Sequence, residues 1–254
     1  MPPPIPSLRD LLGLYLLAKL LGLVAATAVQ ARGGSEDLSV WLAAGISLLV
    51  VTGCFRVLGW PLPSPWPTAR SGLGLPACRL MLALPLGVFL RVGSEALYLL
   101  SAAAASPTLA TEEFRTLATA STTLPTWSFW PATLVAALDE EFFYRVVLLG
   151  SLATRWHWSI ALLASSAVFA LPHASPVAFL GGLGLGLLYL QSRSLWVVFV
   201  AHAAANLLHP GLQWRGIAID SDLAWQLAWL LAPAFVAFLA WTSLRLARDP
   251  GAAR

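Results

Sequence analysis

Long apolar runs interrupted by short polar clusters organise this chain. Searched for stretches able to cross a hydrocarbon core about 30 Å thick, the pattern predicts eight helices. They fall at residues 11–29, 38–55, 80–100, 127–152, 158–171, 177–190, 195–208 and 223–244, the three from 158 to 208 being short for a span. The expected fold class is all-α: a polytopic membrane protein of about eight transmembrane helices forming one integral membrane domain over residues 1–254. Two connectors stand out. Residues 60–75 carry Pro61, Pro63, Pro65 and Pro67 and read as a stiff linker. Residues 106–125 contain Thr111-Glu112-Glu113-Phe114-Arg115-Thr116-Leu117, which reads as a short amphipathic helix lying on the membrane surface. The N-terminus has the flavour of a signal peptide, with Arg9, an apolar run and small residues at Ala25, Ala26 and Ala28. Lys19 interrupts that run, so the segment is read as a retained first helix. There is no internal repeat of the kind on which many transporters are built.

Composition excludes a soluble alternative. Hydrophobic residues make up 58% of the chain and charged ones only 11%, against about 45–50% and 25% in soluble domains. The arginines are scattered over loops and helix ends, so the formal charge of +3 supplies no basic cluster and no nucleic-acid partner is expected. Cys54 and Cys78 define no disulfide framework. Several tryptophans, among them Trp41, Trp60, Trp130, Trp156, Trp158 and Trp196, fall near predicted helix ends and suit interfacial anchoring. With eight spans, the termini and three loops share one side, which holds Arg9, Arg56, Arg70, Arg79, Arg155, Arg193, Arg245, Arg248 and Arg254. The opposite loops hold Arg32, Arg115 and Arg215 beside Glu36, Asp37, Glu112, Glu113, Asp220 and Asp222. By the positive-inside rule both termini are expected in the cytoplasm.

The fourth apolar segment carries Asp139-Glu140-Glu141 in its middle. Each acid costs about 2.5–3.5 kcal/mol at the centre of a span, so acids that persist there face a bundle interior or a wet cavity. Glu141 and Arg145 are four apart with the acid first, the favourable order for a pair on one helix face. Glu140 points about 100° away and has no partner in its own helix. Glu141 and Arg145 therefore read as structural and supporting, and Glu140 as the acid left for chemistry. A buried ion-pair network is the bland alternative; it leaves Asp139 and Glu140 needing bases from elsewhere. Downstream, Phe169-Ala170-Leu171-Pro172-His173 closes the fifth segment, and His202-Ala203-Ala204-Ala205-Asn206 puts a histidine and an amide on one face of the seventh. Singly, either histidine could be an interhelical hydrogen-bonding group. Together, a free glutamate, two histidines and a carboxamide are the parts needed to activate water and stabilise an oxyanion. Glu140, His173 and His202 are equally the candidate ligands of a divalent metal such as zinc. His157 and His209 sit at helix ends and read as interfacial, while His209, three residues from Asn206, is also placed to edge into a site. No His-Glu-x-x-His and no Gly-x-Ser-Gly occur, and Gly182 and Gly186 are spaced for helix packing.

Glu140-Glu141-x-x-x-Arg145, Phe169-x-x-x-His173 and His202-x-x-x-Asn206, in that order in separate segments, resemble the CPBP family of CAAX prenyl proteases and bacteriocin-processing or bacteriocin-immunity (Abi) membrane proteins. The likeness covers roughly residues 127–210, and the first half of the chain contributes only hydropathy. It implies an eight-helix core around a hydrophilic catalytic cavity, in which Glu140 acts as base on a water while His173, His202 and Asn206 hold that water and the developing oxyanion. The implied activity is an intramembrane endopeptidase, glutamic-type or metal-dependent. Its protein substrate would carry a lipidated or membrane-embedded C-terminal segment, a tail or a transmembrane sorting signal. Bacterial relatives include a myxosortase-like group, and the Ala/Leu/Arg-rich, lysine-poor composition favours a bacterial inner membrane. The competing classes are a non-catalytic immunity or binding protein and a proton-coupled transporter. With the termini inside, His173 falls towards the outer face, with Glu140 and His202 near mid-membrane.

The orientation is directly testable. Single cysteines introduced at Ser64 and Arg248 are expected to be shielded from an impermeant thiol reagent in intact cells, and one at Ser35 to label. The reverse pattern would invert the topology.

Overall fold

A computed structural model of the chain describes residues 6–60, 76–106, 108, 111–112, 129–215 and 221–248. The Pro-rich connector and the expected amphipathic helix fall almost wholly outside those residues. Among the described residues there are helices and no strands, and each of the eight apolar segments is helical. In chain order these are α1 (Leu8–Ala31), α2 (Glu36–Val57), α3 (Pro76–Ala105) and α4 (Phe129–Glu141), the last running into a π-helical stretch, Phe142–Leu149, and a final turn, α5 (Gly150–Ala153). Then come α6 (Trp158–Ala170) with a 3-10 turn at Leu171–His173, α7 (Pro176–Ser192), α8 (Leu195–Trp214) and α9 (Ser221–Arg248). Five of these are long and apolar enough to cross a membrane, within α1, α2, α3, α8 and α9, and the two around α6 and α7 are shorter. The polytopic all-α expectation holds.

Local chemistry sets the helix starts. Ser7 and Asp10 form a reciprocal capping box at α1, each side chain bonding the other's backbone N–H. Ser35 and Ser175 cap α2 and α7 in the same way from one side. Leu16, Leu20, Leu23, Leu49, Met81, Leu82, Trp229 and Leu230 face outward. A bilayer turns this surface from a liability into a requirement, because lipid tails replace the missing protein partner.

Helix α3 is the central post, packed against α7, α8 and α9, while α4 is wedged between α2 and α8. Helices α3 and α8 approach each other closely at Gly87. A Cβ on Gly87 would sit 2.0 Å from the Ala201 carbonyl oxygen, so no side chain fits there and the two backbones touch. Gly182 and Gly186 do for α6 and α7 what their spacing predicts: Cβ atoms there would meet Phe169 and Ser166, and Leu162. The π-helical stretch departs from the uniform fourth helix that the sequence suggests. Its side chains from Phe143 to Leu149 are all buried, and Ser165 of α6 donates to the Tyr144 carbonyl at 2.8 Å. Tyr15 of α1 stacks on Phe143 with ring centroids 4.5 Å apart and shares a hydroxyl–hydroxyl bond with Tyr144.

Because α8 carries His202, the Gly87 contact also sets the depth of the site. Gly87→Val is expected to push α3 away from α8 and to cost more than the about 1–3 kcal/mol typical of overpacking, read as lost folded yield and a lowered Tm in detergent. A variant that melts with the wild type would show that the two backbones need not touch.

Candidate active site

The three acids close α4, and each meets a different partner. Asp139 is buried and accepts from Lys19 Nζ of α1 at 2.6 Å, the base from elsewhere that it required. Glu141 is fully buried and pairs with Arg145 one turn later, Nε to Oε2 at 3.1 Å, as the spacing predicts. Its other oxygen does something unforeseen: Glu141 Oε1 lies 2.8 Å from His202 Nδ1 of α8. The acid expected to be structural is therefore also the group that orients a candidate catalytic histidine. Arg145 places its guanidinium over the Phe169 ring, 4.8 Å from the centroid, and its terminal nitrogens have no hydrogen-bond partner. The aromatic face supplies the neighbouring electron density that the absent hydrogen bonds would have given.

Glu140 is partly exposed and turns the other way, as helical phase predicts. Its Oε2 is 3.6 Å from His202 Nε2 and its Oε1 3.9 Å from His173 Nε2. His173 is anchored at the end of α6 because its Nδ1 lies 2.9 Å from the Phe169 carbonyl. Carboxylate and carbonyl acceptors both demand a proton on Nδ1, so each imidazole presents Nε2 towards Glu140. Phe169 packs between the two rings, 4.8 Å from His173 and 5.9 Å from His202 by centroid. The separations of 3.6 and 3.9 Å exceed a direct hydrogen bond and suit a bridging water.

Asn206 follows His202 by one turn. It lines a hollow of ≈90 Å³ shared with His173 and His202 and bounded by α3, α7 and α8. It also lines a wider hollow of ≈550 Å³ between α2, α3, α4 and α8, which includes Glu36, Asp37 and Phe129. A third, of ≈180 Å³, lies between α1, α2 and α4 beside Lys19, Asp139 and Glu140. The sequence-derived candidates thus come together: Glu140, His173 and His202 face one another, Asn206 shares the hollow of the two histidines, and Glu141 and Arg145 stand behind. Among the described residues, however, no group of three or more His, Cys, Asp and Glu side chains converges closely enough to hold a metal ion. Glu140, His173 and His202 do not form a preformed zinc site.

Sequence reasoning passed over two features. Lys19 registered as an interruption of a span and not as a partner. Arg91 and Glu95 lie four apart in the third apolar segment, and His209 of α8, expected at the interface, bonds Glu95. The signal was available, since it is the same acid–base spacing that singled out Glu141 and Arg145.

The polytopic helical bundle brings an acidic helix against two histidine-bearing elements. A family model, Type II CAAX prenyl endopeptidase Rce1-like, matches residues 122–208. That segment is similar to the Rce1-like family, in agreement with the resemblance read from the sequence, and it contains Glu140, Glu141, Arg145, His173, His202 and Asn206. No curated protein matches the chain, and neither does any solved structure.

Glu141→Gln weakens its bonds to both Arg145 and His202, and Arg145→Ala strands a buried carboxylate. Breaking one side of a buried pair costs about 3–5 kcal/mol. Both variants are expected to give low folded yield and a lowered Tm, and neither should be rescued by added substrate. A Glu141→Gln protein of wild-type Tm would contradict the pairing.

Proposed function

We propose that the protein is an intramembrane endopeptidase in which Glu140 activates the hydrolytic water. The observation that carries this reading is the placement of one partly exposed carboxylate within 4 Å of two Nε2 atoms, each imidazole being tethered through Nδ1. In the proposed reaction a water sits between Glu140 and the histidines. Glu140 takes its proton as the oxygen attacks the scissile carbonyl, and later gives that proton to the departing amine. His173 Nε2 accepts the water's second O–H and fixes its orientation. The developing oxyanion is met by the Asn206 amide and by His202, which donates from Nε2 when it carries a second proton. Glu141 opposes that imidazolium and lowers the energy of its formation. The substrate class is a protein whose C-terminal segment is lipidated or lies in the membrane. The ≈550 Å³ hollow supports this, being open and large enough for a peptide segment beside Asn206. Its wall includes Glu36 and Asp37, which the positive-inside rule assigns to the outer face. The proposed setting is a bacterial inner membrane with cytoplasmic termini and a site reached from outside.

Glu140→Gln keeps shape and loses the base. Cleavage of a tail-bearing protein, followed by mass in cells carrying wild type or variant, is expected to fall by about 10²–10⁴. His202→Ala should also abolish turnover, and Asn206→Ala should slow it by about 10²–10³. An immunity protein would keep its phenotype in Glu140→Gln, and a transporter would cut nothing as wild type. Undiminished cleavage by Glu140→Gln would falsify the assignment of the base.

A further inference from the structure

A tie between α1 and α4 accounts for the 2.6 Å bond from Lys19 Nζ to Asp139 Oδ2 and for little else about those two residues. The Asp139 side chain is only 3% exposed, and its second oxygen has no hydrogen-bond partner among the described residues. Lys19 is 37% exposed, sits 5.8 Å from the Tyr15 ring centroid, and carries three donors where the Asp139 bond takes one. Both residues line the ≈180 Å³ hollow between α1, α2 and α4, and the third charged residue on its wall is Glu140. The rest of that wall is apolar and mostly small: Gly22 from α1, Val40, Ala43 and Ala44 from α2, and Ala136 from α4.

Two features decide what such a space holds. The first is its polar floor. An acyl chain lying there would set an ammonium and two carboxylates against hydrocarbon, which is costly. Water needs room and two to four polar partners, and at about 30 Å³ per molecule in the liquid several waters fit. Lys19, Asp139 and Glu140 supply the partners. The second feature is position. Asn206 lines the hollows of ≈90 and ≈550 Å³, whereas Glu140 lines the one beside Lys19. That hollow adjoins the wider one at Val40 and Ala136, which line both. A peptide in the wider hollow would lie beside the smaller space, and water would reach Glu140 without passing it. We infer that the ≈180 Å³ hollow is a hydration chamber, which supplies water to Glu140 from the α1–α2 side of α4. Lys19 and Asp139 are the positioning residues that keep it wet. A tie between helices would serve as well buried among apolar side chains; it would not need a half-exposed ammonium on the same wall as the proposed base. The supply to Glu140 rests on the peptidase reading, and the wetness of the chamber does not.

The test reads water directly, so it does not pass through turnover. Full-length protein with Cys54 and Cys78 replaced by serine, in phosphatidylcholine nanodiscs, carries one cysteine, either Ala43→Cys in the chamber or Leu49→Cys on the outward face of the same helix. Modification by 2-hydroxyethyl methanethiosulfonate, small and uncharged, is followed by mass. The reacting species is the thiolate, which forms in water and hardly in hydrocarbon, so Ala43→Cys is expected to react at least about tenfold faster than Leu49→Cys. Equal slow rates would place hydrocarbon in the hollow and overturn the inference. Adding Lys19→Met together with Asp139→Leu should slow Ala43→Cys to the Leu49→Cys rate at unchanged Tm, because apolar replacement of a buried ion pair is often neutral. Lys19→Gln together with Asp139→Asn should keep the rate fast. A fast rate in the apolar pair, or an apolar pair that does not fold where the amide pair does, would overturn the role given to Lys19 and Asp139. The comparison of Ala43→Cys with Leu49→Cys decides the wetness of the chamber in either case. Against a tail-bearing protein that the wild type cleaves, the dry variant should lose at least about tenfold in kcat at unchanged KM. Full kcat from a dry chamber would overturn the supply of water to Glu140. A wild type that labels as expected and cuts nothing would count against the peptidase reading and not against the chamber.

Discussion

Glu141 is a carboxylate with no access to water, and the site hangs from the way its charge is satisfied. One oxygen takes the Arg145 Nε–H from its own helix and the other takes the Nδ1–H of His202 from α8. Removing an ion from water is expensive, and an intramembrane bundle offers few ways to recover the cost. Here the recovery is made by the same bonds that aim His202, the candidate catalytic histidine. The helix carrying the proposed base, Glu140, and the helix carrying His202 are thus locked in one register by electrostatics. The arrangement has the logic of a carboxylate orienting an imidazole in hydrolases of unrelated fold, where the acid fixes tautomer and direction and the imidazole does the work.

The protein segregates its polar chemistry by helix pair. Lys19 with Asp139 ties α1 to α4, Glu141 with His202 ties α4 to α8, and Glu95 with His209 ties α3 to α8. Each tie is a carboxylate on one helix met by a base on another. In a medium where apolar contact between helices has no hydrophobic driving force, such ties supply the specificity that small-residue packing at Gly87 cannot supply alone. Glu140 stands outside this scheme. Among the described residues it is the acid of the central group with no lysine or arginine partner, and the hollow beside Lys19 and Asp139 leaves it a route to water.

Much of this was legible in the sequence, for identifiable reasons. Spans are written in runs of apolar residues, and Glu141–Arg145 is written in a four-residue spacing; both are local rules. The site residues were legible as an ordered set of motifs. Contacts set by tertiary packing were not: Glu141 and His202 lie 61 positions apart, and nothing local to either says which glutamate the imidazole will choose. The π-helical stretch was invisible because Phe142–Leu149 has the same apolar composition as an ordinary buried helix. Arg91 and Glu95 were overlooked despite a readable spacing, because a third span without histidine looked like scaffold.

The π-helical stretch has a consequence for how the fourth span tolerates change in length. Its wider hydrogen-bonded loops take up an extra residue compared with a continuous α-helix, so the residues beyond Leu149 are phased separately from the acids before Phe142. Deleting one residue from the stretch would let it revert to regular α geometry, but at about 100° of rotation per residue the two ends could not both keep their faces. Either the apolar end would turn Val147 and Leu148 out of the core, or the acidic end would swing Glu141 away from His202. The irregularity thus works as a phase joint, letting the reactive half and the packing half of one span be fixed by different neighbours.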